Sequence, residues 1–371
     1  MAPYSQGMAE IHAVRRAAVR KQLAELGADA ALITSGVNVR YLTGLVSSNA
    51  ALLLPADGQA VLATDSRYAG TAASQCADLE LLIERLIEPV LVRLAVARGN
   101  TRIGFEAQEM TVERYQALTE LAERPELVPL GGAVEELRMV KDEAEIELLA
   151  RACAITCEAF AAVIGWLRPG VTEREFAIVL DRAMIDGGAR APAFDTIVAS
   201  GPNGAIPHHM PGDRMFAAGD LVTVDCGAQF EGYHADLTRT VAIGEPARWQ
   251  RDIYQLVAAA QEAGVAAARA GAQVADVDAS SREMIASAGH GEHFGHGLGH
   301  GVGLQIHEAP SIGYGKTGTL QDRVPITIEP GIYLPGMGGV RIEDTLVVRA
   351  GAGAAGSAQL LTTLTKELLV L

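Results

Sequence analysis

Residues 220–243 read DLVTVDCGAQFEGYHADLTRTVAI and residues 324–348 read VPITIEPGIYLPGMGGVRIEDTLVV. Each is a strand, a short turn and a second strand, rich in Val, Ile, Thr and Tyr. Each also sets two acids among apolar strand residues: Asp225 and Asp236 in the first, Glu329 and Glu343 in the second. With Phe230 and Glu231 as the first turn, Asp225 faces Asp236 across the strands. With Pro335 and Gly336 at the second, Glu329 faces Glu343. Facing residues bring their Cβ atoms to roughly 4.5 to 5.5 Å, so each hairpin offers a pair of carboxylates pointing inward.

A helix-like segment precedes each hairpin. RPGVTEREFAIVLDRAMIDGGA starts at Arg168 and RAGAQVADVDASSREMIASAG at Arg269, 101 residues later. Both open on Arg-x-Gly, run as a helix and stop at glycine, which predicts two αα-plus-hairpin units packed about a pseudo-twofold axis. Upstream, RMVKDEAEIELLARACAITCEAFAAVIGWLRPG reads as one long helix with acids in its first turns and Pro169-Gly170 as its stop. Earlier still, helical spacing from Met8 to Leu26 ends at Gly27. AALITS and NAALLLPADGQAVLAT then read as strands, and the pattern continues through LELLIERL and RIGFEA to the helix VERYQALTELAE. The fold class is α/β (α+β), and 371 residues exceed one ordinary core. An N-terminal α/β domain is expected over residues 1–138 and a second domain over residues 139–371.

The chain carries 30 Lys+Arg against 45 Asp+Glu, a formal charge of -15. It has no dense basic run, which makes nucleic acid and anionic membrane poor partners. No apolar run approaches the roughly 18 residues of a membrane span, and the N-terminus lacks the apolar stretch of a signal peptide. Four cysteines, Cys76, Cys153, Cys157 and Cys226, form no CxxC and read as small buried residues of a reduced, cytoplasmic protein.

Four inward carboxylates cannot all stay ionised without cations. Arg239 and Arg341 are at hand to pair with some of them; a metal centre is the other solution, and a histidine cluster favours it. GHGLGHGVGLQIHE, residues 295–308, holds His296, His300 and His307 among alternating glycines. The spacing of His296 and His300 imitates a zinc-binding HExxH helix, yet no glutamate follows His296, and the glycines make a helix costly. In an extended segment residues at even spacing share a face. His296 and His300 then lie on one side, and the glycines let the backbone pass close to the site. An oxygen-rich site with one imidazole suits Mn²⁺ or another borderline divalent ion, and four carboxylates balance two such ions roughly 3.5 to 4 Å apart.

A Gly/Pro-rich loop, GPNGAIPHHMPGDR, adds His208 and His209, while His290 and His293 receive no role. Two strings imitate nucleotide sites. GAGAAG, residues 351–356, is followed by too little chain for a dinucleotide fold and reads as a hairpin loop. GYGKT, residues 313–317, has Pro310 where a P-loop needs its first glycine.

With these residues in place, the chain resembles the pita-bread metallopeptidases of the aminopeptidase P and prolidase branch. The resemblance runs over nearly its whole length, through NVRYLTGLVSSNAALLL, DSRY, LRMVKDEAEIELL, TVDCGAQFEGYHADLTRT, GHGLGHGVGL, TIEPGIY and VRIED. It implies a creatinase/prolidase-like N-terminal domain before a pita-bread catalytic domain of two pseudo-symmetric halves. It also implies Asp225, Asp236, His300, Glu329 and Glu343 as ligands of two divalent ions, Mn²⁺ first, with Co²⁺ or Zn²⁺ as alternatives. Glu329 would carry the catalytic proton, and His208 and His307 would hold the substrate and the tetrahedral oxyanion. His296 would line the pocket and Arg341 orient a ligand carboxylate. The implied reaction is release of the N-terminal residue from peptides with proline second. A prolidase acting on Xaa-Pro dipeptides is the alternative, and a non-catalytic binding module a remote one that the intact ligand set disfavours. The expected partner is a proline-containing peptide and the expected assembly a homodimer.

Overall fold

The structure, a computed structural model, describes residues 2–351 and 358–371. It divides into two compact units, Met1–Arg138 and Met139–Leu371.

In the first unit, strands β1 (Ala30–Ile33), β2 (Ala50–Pro55), β3 (Val61–Thr64), β4 (Glu80–Ile83), β5 (Arg102–Phe105) and β6 (Glu126–Pro129) form one sheet. Their order is β4-β3-β2-β1-β5-β6. β2 runs antiparallel to β1 and β3, and the other pairs are parallel. The helices are α1 (Ala2–Leu26), α2 (Gly36–Thr43), α3 (Ala69–Gln75), α4 (Ile87–Ala97) and α5 (Val112–Thr119). Leu32, Leu53 and Ile103 of the sheet pack with Leu91 and Val92 of α4 to make the core of this unit.

The single long helix expected after residue 137 is two. α6 (Ala133–Met139) stops, and α7 (Glu143–Val163) restarts at Asp142. The Asp142 carboxylate accepts from Glu145 N, and the Glu145 carboxylate accepts from Asp142 N. Asp-x-x-Glu is a capping box, so the acids that resemble a first helical turn mark a second start. Among the described residues the stretch Glu143–Trp166 is the one helix long and apolar enough to cross a membrane. Its Ile155, Ala159, Phe160 and Val163 pack against Phe176, Leu180 and Met184 of α8 (Glu173–Asp186). Truncating Leu180 or Met184 to alanine there costs about 2–5 kcal/mol. Cys153, Cys157 and Cys226 are buried and free, as is Cys76 in the first unit.

After α8 come β7 (Ala191–Pro192), β8 (Ile197–Ser200), β9 (Leu221–Cys226), β10 (Ala228–Phe230), β11 (Tyr233–His234) and β12 (Leu237–Ala242). The main sheet has the order β12-β9-β8, and β10 and β11 form the hairpin tip. The second half repeats the plan. α9 (Arg248–Ala267) packs on α10 (Val274–Ile285) as α7 does on α8. Then follow β13 (Gly299–Gly301), β14 (Glu308–Ile312), β15 (Pro325–Ile328), β16 (Gly331–Leu334), β17 (Gly338–Arg341), β18 (Asp344–Val347) and β19 (Gln359–Leu360). In the order β14-β13-β15-β18-β19, the run β18-β15-β13 is the counterpart of β12-β9-β8, and β16 with β17 is the second tip. Of GAGAAG, residues 352–356 lie outside the described residues; the flanking β18 and β19 pair antiparallel.

The second hairpin has the register read from its sequence. Ile328 pairs with Asp344 and Gly331 with Arg341, which sets Glu329 against Glu343. The first hairpin differs: Asp225 pairs with Thr238, not Asp236. Its turn is Glu231-Gly232, with φ of 46° and 80°. A two-residue turn with both φ positive matches the twist of the flanking strands, and a Phe-Glu turn would force two bulky side chains into that region. Because the slip is two residues and not one, Asp236 stays on the same face as Thr238 and Asp225.

Candidate metal centre and active site

The two hairpins and β13 bring the five expected ligands together. Asp236, His300 and Glu343 each present one atom, all within 4.8 Å of one another. His300 Nε2 lies 3.5 Å from Asp236 Oδ2 and 3.5 Å from Glu329 Oε1. Asp225 lines the same cavities as His300 and Glu329. The pairing of β13 with β14 shifts register between His300 and Gly301, a bulge of the kind that re-aims a side chain beside a site. His300 Nδ1 donates to Gly301 O at 3.0 Å, which leaves Nε2 with a free lone pair toward the carboxylates.

The alternating glycines serve a different purpose from the one their spacing suggests. A Cβ on Gly299 would collide with Thr327 O, and one on Gly301 with Ala309 O. They admit the neighbouring strands, and so hold β13 deep enough for His300 to reach the acids.

Burial, then repulsion from Glu343, Asp225 and Glu329, drives the Asp236 carboxyl well above the ordinary range. Burial and the charges of Glu329 and Asp225 do the same to Glu343. Glu329 is raised to about 8, chiefly by burial. Burial lowers His300 to about 4. Asp225 Oδ1 and Glu343 Oε1 are buried without a hydrogen-bond partner. Buried oxygens left unpaired on two carboxylates, beside an imidazole lone pair, are a donor set that a divalent cation satisfies. The residues therefore fit a metal.

The arginines divide as only one of the two site pairings foreseen. Arg341 Nη2 donates to Asp225 Oδ2 at 2.7 Å, whereas Arg239 pairs with Asp344 outside the cluster. Arg341 also donates through Nε to Thr238 Oγ1 at 3.1 Å and through Nη1 to the Tyr333 hydroxyl at 3.0 Å. Tyr333 OH in turn lies 2.8 Å from His296 Nε2. Thr238 Oγ1 donates to Glu343 Oε2 at 2.7 Å. Tyr333 and Thr238 were not singled out from the sequence, although both alternate in strand with a predicted ligand, Thr238 two residues after Asp236 and Tyr333 four after Glu329.

Two cavities share His208, Asp225, His300 and Glu329. The larger, about 850 Å³, is further lined by His296, Tyr333 and Arg341. The smaller, about 260 Å³, is lined by Phe194, Met210, Ile306 and His307 together with Asp236 and Glu343. His208 is exposed to both, while His209 is held by Glu173, Nε2 to Oε2 at 2.8 Å. The rings of His300 and His307 meet edge to face with centroids 4.4 Å apart. His290 and His293 stand with their Nδ1 atoms 3.2 Å apart, and of the two His293 reaches the wall of the larger cavity.

Residues 147–350 match metallopeptidase family M24, and residues 15–140 match the creatinase/prolidase N-terminal domain. The Xaa-Pro dipeptidase of Pyrococcus furiosus is 39% identical over 274 residues, 74% of this chain and 77% of the relative. Among solved structures, the Xaa-Pro dipeptidase from Bacillus anthracis superposes with a TM-score of 0.93 at 36% identity, covering 97% of this chain and 100% of that one. The X-Pro aminopeptidase from Thermotoga maritima MSB8 gives 0.86 at 34% identity, covering 95% and 100%. With its carboxylate and imidazole donors gathered between two pita-bread halves, the chain belongs to metallopeptidase family M24.

Proposed function

We propose that the chain is an Xaa-Pro dipeptidase, a prolidase, that hydrolyses the bond before proline with metal held by Asp225, Asp236, His300, Glu329 and Glu343. The observation that carries this reading is the pair of cavities that share His208, Asp225, His300 and Glu329. They give a small-peptide-sized space bordered by a carboxylate cluster in which Arg341 pairs with Asp225 alone. Relatives named as dipeptidases support a dipeptide substrate over release of an N-terminal residue from longer peptides, which the sequence motifs put first. The likeness to the Thermotoga maritima X-Pro aminopeptidase favours that second reading.

Two ions, Mn²⁺ first and Co²⁺ or Zn²⁺ as alternatives, suit four carboxylates and one imidazole. Bound there, they supply Lewis acidity and lower the pKa of water toward neutrality. Glu329 takes the proton of the attacking water and delivers it to the proline nitrogen, which leaves from a tertiary amide. His208 and His307, which line the smaller cavity, donate to the carbonyl oxygen as it gains charge. Arg341 fixes Asp225, and through Tyr333 it fixes His296 as a wall of the larger cavity. Residues 139–371 form the catalytic domain and residues 1–138 a creatinase/prolidase-like domain. The active assembly is a homodimer, and the free buried thiols suit a cytoplasmic setting.

The test is hydrolysis by chelator-stripped protein, with and without Mn²⁺, of a Gly-Pro dipeptide, an Xaa-Pro-Xaa tripeptide and the tripeptide with alanine for proline. Metal-dependent cleavage of the dipeptide alone supports the prolidase. Cleavage of the proline tripeptide transfers the assignment to an aminopeptidase. Equal cleavage of the alanine peptide removes proline from the function.

A further inference from the structure

α8 begins at Glu173, whose side chain is fully buried. Its Oε1 accepts from Ser200 N at 2.8 Å, Ser200 Oγ at 2.7 Å and Asn203 Nδ2 at 2.9 Å. Its Oε2 accepts from His209 Nε2 at 2.8 Å and Gly212 N at 3.2 Å. A carboxylate has about four lone-pair directions, so these donors saturate it. All of them lie on one segment, residues 200–212, and His208 is inside it.

His208 makes no hydrogen bond of its own among the described residues, and it is exposed where it lines both cavities. Its two neighbours are tied. Pro207 O accepts from Arg341 Nη1 at 3.3 Å, and Arg341 also holds Asp225. His209 is tied to Glu173 on the other side. The backbone that carries His208 is therefore tied to Arg341 on one side and to Glu173 on the other. Burial alone would push the Glu173 carboxyl up, but the donors from Ser200, Asn203 and His209 outweigh it and hold the group below its usual range. An ionised carboxylate is costly to bury unless its partners compensate it, and here every partner belongs to the histidine-bearing loop.

We propose that Glu173 is a positioning residue that holds His208 in place for the hydrolysis. The proposal rests on the Xaa-Pro peptidase reading for its activity readout, and on geometry alone for its spectroscopic one.

Glu173→Gln keeps the shape but turns one acceptor into an amide NH₂ that faces donors. In the Mn²⁺-loaded full chain, kcat on the Xaa-Pro substrate is expected to fall about ten- to a hundredfold, with KM changed less than about threefold, since a small misplacement of a reacting group costs that much. In a His208→Ala background the same change should cost less than about twofold, because the residue through which Glu173 acts is gone. Equal losses in both backgrounds, or none in either, overturn the proposal. Should Glu173→Gln fail to fold, His209→Ala and His209→Gln take its place. The glutamine amide can still donate to Glu173, so His209→Gln should recover most of the activity that His209→Ala loses; equal activities overturn the proposal. Independently of turnover, the ring resonances of His208 in an imidazole-labelled NMR sample should shift in His209→Ala while those of His296 stay. An unmoved His208 overturns the proposal. A wild-type protein that cleaves no Xaa-Pro peptide sinks the functional reading, and the NMR comparison still decides the role of Glu173.

Discussion

His300 Nε2 stands 3.5 Å from Asp236 Oδ2, with the ring proton committed through Nδ1 to Gly301 O. Lone pairs thus converge with no proton of the histidine between them. In the metal-free protein burial and this repulsion favour the protonated carboxyls: Asp236 and Glu343 are raised well above the ordinary range, and Glu329 is raised to about 8. Metal uptake must expel those protons. Titration calorimetry of Mn²⁺ into stripped protein near about pH 7 should show release of about one proton or more, and affinity should rise through about pH 8. Binding that is independent of pH and of buffer ionisation enthalpy refutes this account.

Replacing Asp236 with alanine should abolish metal uptake and hydrolysis together. Thr238→Val should act more gently. It removes the hydroxyl that donates to Glu343 and accepts from Arg341, at a cost of about ten- to a hundredfold in metal affinity. Competition against a fluorescent chelator measures both. An Asp236→Ala protein that keeps its metal and its activity would overturn the ligand assignment.

Stability of the stripped protein should fall at both ends of the pH range, for opposite reasons. Burial lowers His296 and His300 to about 4 from 6.5. They are neutral in the folded state where the unfolded chain binds protons, so their contribution is present above about pH 6.5 and is lost as pH falls toward 4. Glu329, raised to about 8, works in reverse: its contribution is present below the unfolded value near 4.5 and is lost as pH rises through 8. A tenfold difference in proton affinity between the folded and unfolded chain corresponds to about 1.4 kcal/mol. Thermal midpoints of stripped and Mn²⁺-loaded protein should diverge above about pH 7, the stripped form losing stability. A stripped protein that gains stability there contradicts the raised Glu329.

What the sequence made legible follows the physics of each signal. Asp225, Asp236, Glu329 and Glu343 stood out because an acid inside an apolar strand is costly wherever the strand goes. His300 stood out because glycines on both sides left it little but an extended backbone. The register of the first hairpin was misread since Glu231-Gly232, not Phe230-Glu231, supplies the two left-handed residues. The acids stayed on one face all the same, because a slip of two preserves side-chain direction. Tyr333, Thr238 and Glu173 escaped notice because their meaning lies in partners far away in the chain: His296 for Tyr333, Arg341 for Thr238 and His209 for Glu173. Such pairings are set by packing, and no local pattern carries them. The helix break before α7 was legible in principle, since Asp142-x-x-Glu145 is a start signal.

Lys141, in that break, and Glu308, the first residue of β14 beside His307, form an ion pair at 2.7 Å with side chains only 1% and 5% exposed. A charge left alone at such a depth is far more costly than the pair is beneficial. Lys141→Met should therefore destabilise the protein by about 3–5 kcal/mol, because it removes the cation that Glu308 Oε2 holds at 2.7 Å. Lys141→Met combined with Glu308→Leu should recover much of that loss, since well-packed apolar residues often replace a buried pair at little cost. Thermal unfolding of the two single variants and the double variant gives the coupling energy directly. Additive losses in the double variant, or a single-variant cost under about 1 kcal/mol, the scale of an exposed pair, would mean that Glu308 does not depend on Lys141. The activity of the double variant then reads the second role of the pair. Glu308 Oε1 accepts from Gln305 N at 3.0 Å, a bond that closes the loop carrying His307. A stable double variant should thus hydrolyse Xaa-Pro substrates more slowly than wild type, and full activity would free His307 from dependence on that loop closure.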